Sequence, residues 1–271
     1  KIGDTMIGGT VGVVEISNHA GLVAGDTVVG LLGWQEYGVA NGRQLMKVDT
    51  RAVPMSAYLG PVGMPGVTAW YGLNRICEPK PGETVLVSAA SGAVGSVVGQ
   101  LAKQAGCRAI GIAGGPDKCE YVVSELGFDA CLDHRQHTDV KSMVRALRDV
   151  APQGIDGLFE NVGGVCLDAT LACMNPFGRI ALCGLIAGYG GQDIAIHNVR
   201  MLLVMRLKAQ GFIVSEHMDA WPQALAELGQ GVATGRIKYR ESIADGLAAA
   251  PEAFIGLLAG RNFGKQLVKL A

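Results

Sequence analysis

Between residues 88 and 95 the chain carries no side chain larger than valine, and this run joins a β-branched stretch to a helical repeat. Thr84, Val85, Leu86 and Val87 precede it, as in a parallel strand buried on both faces. Val94, Val97, Val98 and Leu101 follow at helical spacing, with Gly106 as the C-terminal stop. A strand that passes through small residues into a helix N-terminus can hold a pyrophosphate. Backbone N–H groups and the positive end of the helix dipole face the anion, and the missing side chains let it approach. The turn reads Ala89, Ala90, Ser91, Gly92, Ala93, Val94, Gly95, not the three-glycine fingerprint. Such runs also serve as plain strand-to-helix connectors, so residues downstream must choose between the two.

A second strand, predicted over 108–113, ends in Ala113, Gly114 and Gly115. An NAD site places Asp or Glu there for the ribose hydroxyls. Here the position is open, and Lys118 follows within one helical turn. An ammonium beside an open pocket suits an additional 2′-phosphate, which favours NADP. Asp117 argues mildly for NAD, although an acid at a helix start also complements the dipole. Lys118 has a second reading as a solvated surface lysine.

Composition narrows the classes. The 271 residues can form one large domain or two smaller ones, and a net charge of −1 gives no electrostatic reason to expect nucleic acid or an anionic membrane as partner. No apolar run is long enough to cross a bilayer, and no signal peptide opens the chain. The seven cysteines (77, 107, 119, 131, 166, 173 and 183) form no CxxC pair, and Cys and His never cluster at ligand spacing. That predicts small core thiols in a reducing cytoplasm, with neither disulfides nor a metal site. The chain opens at Lys1 and enters a strand-like stretch almost at once, so an N-terminal portion is expected to be missing.

Residues 8–59 read as all-β, with strands predicted at 9–15, 27–32 and 36–40. Met64, Pro65 and Gly66 break the pattern, and 67–75 reads as a short helix. From residue 84 strands and helices alternate. Helices are predicted at 117–126 and 141–150, and further strands at 130–133, 157–162, 179–183 and 210–214. Six strands with intervening helices make a doubly wound parallel sheet the natural α/β architecture. Residues 219–234 read as an amphipathic helix, and 264–270 as a strand returning to the first domain.

The stretches GMPGVTAWYGL (63–73), AASGAVGSVVGQLAK (89–103), ENVGG (160–164), FGRIALCGLIAGY (177–189), QGFIV (210–214) and GRNFGKQLVK (260–269) occur in this order over nearly the whole chain. With them the sequence resembles the zinc-independent medium-chain dehydrogenase/reductases, in the leukotriene/prostaglandin reductase and alkenal double-bond reductase branch. The resemblance implies a Rossmann domain at 66–215 flanked by a GroES-like barrel built from 1–65 and 216–271. It implies NADPH as hydride donor, an α,β-unsaturated ketone or aldehyde as substrate, and a homodimer. Carried over by position, Gly92, Ala93, Val94 and Gly95 would hold the pyrophosphate and Lys118 the 2′-phosphate. Asn161 would lie near the cofactor, and Asn262 would reach it from the last loop. Cys183, Gly184, Leu185, Ile186 and Tyr189, with Phe212, Ile213 and Val214, would line the nicotinamide half. Many relatives place a tyrosine on the 2′-phosphate where this chain has His134, with Arg135 adding charge beside it; Val204 stands near where mammalian reductases carry another tyrosine. Hydride addition to an enone leaves charge on the carbonyl oxygen, which needs a hydrogen-bond donor. Tyr189 and Tyr37 are the candidates, Tyr37 reading equally well as a half-buried strand residue. A quinone reductase of the same superfamily, or a non-catalytic NADPH-binding protein, are the rival readings.

Overall fold

The computed structural model describes residues 2–270. Thr10–Val13 (β1) pairs antiparallel with Thr27–Gly30 (β2), which pairs antiparallel with Met46–Lys47 (β3). The strand predicted at 36–40 does not form. Tyr37 and Val39 are exposed there, and Gln35 Nε2 turns back to donate to the Leu32 carbonyl at 2.6 Å. A β-prone stretch becomes a strand only where a face is buried against neighbours, and this one has none.

Met64–Tyr71 (α1) starts at the Met-Pro-Gly run that had read as a break, because proline in the first turn forfeits no hydrogen bond. The helix runs on through a wider turn, Gly72–Cys77, and stops at Glu78 with φ +43°.

The alternating region follows as Thr84–Ser88 (β4), Gly95–Gln104 (α2), Arg108–Ala113 (β5), Pro116–Ser124 (α3), Ala130–Asp133 (β6) and Val140–Val150 (α4). It continues with Ile155–Glu160 (β7), Gly164–Leu171 (α5), Met174–Leu182 (β8), Arg200–Val204 (α6) and Lys208–Gly211 (β9). These six strands form one parallel sheet in the order β6-β5-β4-β7-β8-β9. The strand order reverses between β4 and β7, and in such sheets the crevice beyond the carboxyl ends of those strands is where ligands bind. Both faces of the sheet are covered. Val85, Val87 and Phe159 belong to a core shared with Trp70 and Leu73 of the α1 segment, whereas Leu86 and Leu158 meet Met143 and Leu147 of α4 on the other side. That is why β4 reads as an unbroken apolar run and not as an alternating one.

Trp221–Ala233 (α7) lays Ala224 and Leu228 on the first core, and Trp70 Nε1 donates to Glu227 Oε2 at 2.7 Å. Glu241–Asp245 (β10), Ala250–Leu258 (α8) and Lys265–Lys269 (β11) close the chain. The tail strand pairs parallel with β10, and an isolated bridge between Gly92 and Gly264 ties its start to the small-residue turn. Phe254 of α8 meets Trp34 edge-on at 5.9 Å, joining this C-terminal unit to the N-terminal segment.

The sheet's tightest joint is testable. A Cβ added at Gly99 of α2 would sit 1.8 Å from the ring of Phe128, itself 3% exposed, so the ring has little room to yield. Helix propensity alone would favour alanine by about 1 kcal/mol. Overpacking costs about 1–3 kcal/mol and should win. Gly99→Ala is therefore expected to lower the midpoint of urea unfolding.

Candidate active site

The small-residue turn lies at the carboxyl end of β4. Ala89 takes φ +50°, a left-handed conformation that a residue without a large side chain tolerates at modest cost. Its carbonyl accepts from the Gly92 N–H at 2.9 Å. A Cβ on Gly95 would stand 2.4 Å from that same carbonyl, so glycine is what allows α2 to start so close to the strand. No side chain caps the start of α2. Its first turn can therefore turn the helix dipole on an anion, next to Ala93 and Val94.

The end of β5 forms a second, cationic corner. A Cβ on Gly114 would lie 2.8 Å from His134 Nε2, and one on Gly115 would lie 3.1 Å from Arg135 Nη1. The two glycines thus admit both side chains from the turn after β6. Asp133 Oδ1 pins that turn by accepting from the Gly115 N–H at 2.8 Å and the Arg135 N–H at 3.0 Å. Lys118 Nζ donates to the Gly260 carbonyl at 2.8 Å. Burial, and then the charge of Arg135, push Lys118 below the usual lysine range. Burial also lowers His134; Asp133 opposes this, while Arg135 and Lys118 add to it. Cationic groups held together with lowered pKa values are ones that an anion would relieve. Asn262, expected to reach the cofactor, directs its Nδ2 to the Gly264 carbonyl at 2.7 Å and so stiffens its own loop.

The remaining wall is built at the ends of β7 and β8. The Glu160 carbonyl accepts from the Cys183 and Gly184 N–H groups at 2.9 and 3.1 Å. The Asn161 side chain donates to the Ser88 carbonyl at 2.7 Å, and the Asn161 carbonyl accepts from Ile186 N–H at 3.2 Å. Leu185 lies against Gly163, which takes φ +80°. A Cβ on Gly184 would be 3.4 Å from the Tyr189 hydroxyl, which puts that hydroxyl over the same wall on a mostly exposed side chain. Phe212 and Val214 turn inward: Phe212 lies 5.6 Å from the Tyr71 ring and 6.3 Å from Phe159, and Val214 is buried, while Ile213 alone of the three is exposed. Tyr37 is 72% exposed on the irregular stretch after β2, not half-buried in a strand.

Two features escaped the sequence reading. Tyr71 stacks on His217 with centroids 4.2 Å apart and its hydroxyl 3.1 Å from Nδ1. Glu160, within ENVGG, is fully buried. An acid closing an apolar strand was the available signal. Among the described residues no three His, Cys, Asp or Glu side chains come together as a metal site requires. No helix among them is long and apolar enough to cross a membrane.

Similarity to known proteins places this crevice in a family. A profile described as zinc-binding dehydrogenase matches residues 93–230, and one described as the N-terminal domain of oxidoreductase matches residues 1–48. The chain is 44% identical to NADPH-dependent curcumin reductase of Escherichia coli, over 100% of this chain and 79% of that protein. It is 43% identical to the NADP(+)-dependent 2-alkenal reductase of Nicotiana tabacum, over 91% and 72%. The crystal structure of CurA from Vibrio vulnificus in complex with NADPH matches with a TM-score of 0.92 at 43% identity, covering 100% of this chain and 81% of that one. The chain belongs to the medium-chain dehydrogenase/reductases, in their NADP-dependent alkenal reductase branch. In this reductase the expected family order of motifs runs from residue 63 to residue 269.

Burial raises all seven thiols of this reductase. At Cys183 burial pushes the value up to about 12. Iodoacetamide at pH 8 should leave Cys183 unmodified in the native protein and label it readily in urea, read by peptide mass spectrometry.

Proposed function

We propose that this chain reduces the carbon–carbon double bond of α,β-unsaturated aldehydes and ketones with NADPH and without a metal. The observation that carries the reading is the joined pair of anion sites, the small-residue turn at α2 and the Lys118–His134–Arg135 corner, in a chain of the alkenal reductase branch. Bound NADPH would supply the hydride for the β-carbon. Gly92, Ala93, Val94 and Gly95 would hold the pyrophosphate through amides and the helix dipole. Lys118 would leave the Gly260 carbonyl for the 2′-phosphate, with His134 and Arg135 beside it. Asn161, Cys183, Gly184, Leu185 and Ile186 would form the nicotinamide wall, with Ile213 as the exposed member of its segment and Asn262 bracing the loop beside Gly92.

As the β-carbon is reduced, charge develops on the substrate's carbonyl oxygen, and a preorganised donor there lowers the barrier. The Tyr189 hydroxyl, above Gly184, is the donor we assign; Tyr37 is the second candidate, on a segment free to approach. A proton must then reach the α-carbon, and water or a tyrosine hydroxyl can deliver it. The domain reading follows the same division, with 66–215 as the nucleotide domain and 1–65 with 216–271 as the GroES-like unit. The exposed Leu203, Val204 and Ile213 near the open edge of β9 support a homodimer, and seven free thiols support a cytoplasmic setting.

Steady-state kinetics test this. An alkenal or enone should be turned over with NADPH, with NADH far poorer, and a quinone should be the weaker substrate; faster reduction of the quinone, or no turnover, would overturn the reading. Lys118→Ala removes a charge-assisted bond of about 1.5–3 kcal/mol, so kcat/KM with NADPH should fall roughly 10- to 100-fold while the NADH value holds. Tyr189→Phe should lower kcat by about tenfold or more with little change in the NADPH KM.

A further inference from the structure

Glu160 closes β7 directly beneath the crevice and is fully buried, yet the ion pairs among the described residues leave it without a cation. Its Oε1 accepts from Ser88 Oγ at 2.8 Å and from the N–H groups of Val162 and Gly163. Ser88 Oγ in turn accepts from the Asn161 N–H at 2.7 Å. The Glu160 carbonyl meanwhile holds Cys183 and Gly184. One residue therefore joins the end of β4, the Asn161–Gly163 turn and the exit of β8, all of which face the crevice.

We propose that Glu160 is a positioning residue of the cofactor cleft, whose buried carboxyl fixes the β4, β7 and β8 ends in one rigid junction and works there as a neutral acid. Two observations support the neutral form. Oε2 is buried with no hydrogen-bond partner, a place where a carboxylate would leave half its charge unsolvated. Burial also raises the pKa of Glu160, against the hydrogen bonds from Gly163, Val162 and Ser88 that oppose it. A carbonyl-like Oε1 is all the three donors need. The acid thus acts as a template for its neighbours, and it touches neither cofactor nor substrate.

This inference rests on the reading that the crevice takes NADPH, and the experiment separates the two. NADPH binding is followed by fluorescence titration with the parent chain, Glu160→Gln, Glu160→Asp and Ser88→Ala, each checked for a cooperative melt. Gln keeps the accepting oxygen and the length of the arm, and should bind NADPH within threefold of the parent. Asp cannot reach the Val162 and Gly163 amides, and Ser88→Ala strands the Asn161 N–H; both should weaken binding fivefold or more while still melting cooperatively. In turnover the same variants should raise the KM for NADPH more than they lower kcat. Asp and Ser88→Ala variants that bind within twofold of the parent would overturn the positioning role, and a Gln variant as weak as the Asp variant would overturn the neutral acid. Failure of the parent itself to bind NADPH would overturn the cofactor reading, and this inference with it.

Discussion

The parallel pairing of β4 with β7, across the point where the strand order reverses, is the constraint on which the rest of the molecule depends. Helices must leave the two strands toward opposite faces, so a gap opens at their carboxyl ends that no crossover can fill. Every group assigned to the cofactor is hung from the rim of that gap. The turn after β4 supplies amides, the turn after β7 supplies Asn161, and the next strands outward supply the cationic corner and the wall of Cys183 and Gly184. The two buried cores, one on each face, keep these strand ends from moving independently.

The cationic corner shows how small residues do electrostatic work. Gly114 and Gly115 carry no charge, but their missing side chains are what allow His134 and Arg135 to approach Lys118. Burial first, and the charge of Arg135 second, hold Lys118 below its usual range. The cost is carried by a backbone carbonyl, at Gly260, that occupies Lys118 from the C-terminal unit. Lys118 of α3 and the last loop are thereby joined, at the spot proposed for the extra phosphate.

Most of the sheet could be read from the chain because the signals were local and strong. Residues 108–113 and 130–133 are bounded by glycine and by helical repeats, and the strands formed there as predicted. The N-terminal third was harder. Residues 36–40 have strand-like composition but no neighbour to bury them, and β3 is a two-residue strand whose existence depends on pairing with β2. The same holds at the site. The turn and Lys118 stand out by type and spacing, whereas the stacking of Tyr71 on His217, 146 residues apart, and the bond from Ser88 to Glu160, 72 residues apart, exist only once the sheet has formed. Phe212 and Val214 turn inward while Ile213 is exposed, since a matching motif says which segment is near but not which side chains face inward.

The raised pKa of every cysteine has a further meaning for a catalyst of this kind. Conjugated aldehydes and ketones are electrophiles that capture thiolates at the very carbon the enzyme is to reduce. A protein whose proposed substrates are such molecules meets them at its own cleft. On the proposed reading Cys183 stands on the wall of that cleft, and its raised pKa keeps it in the less reactive thiol form, so that substrate could come close without being trapped.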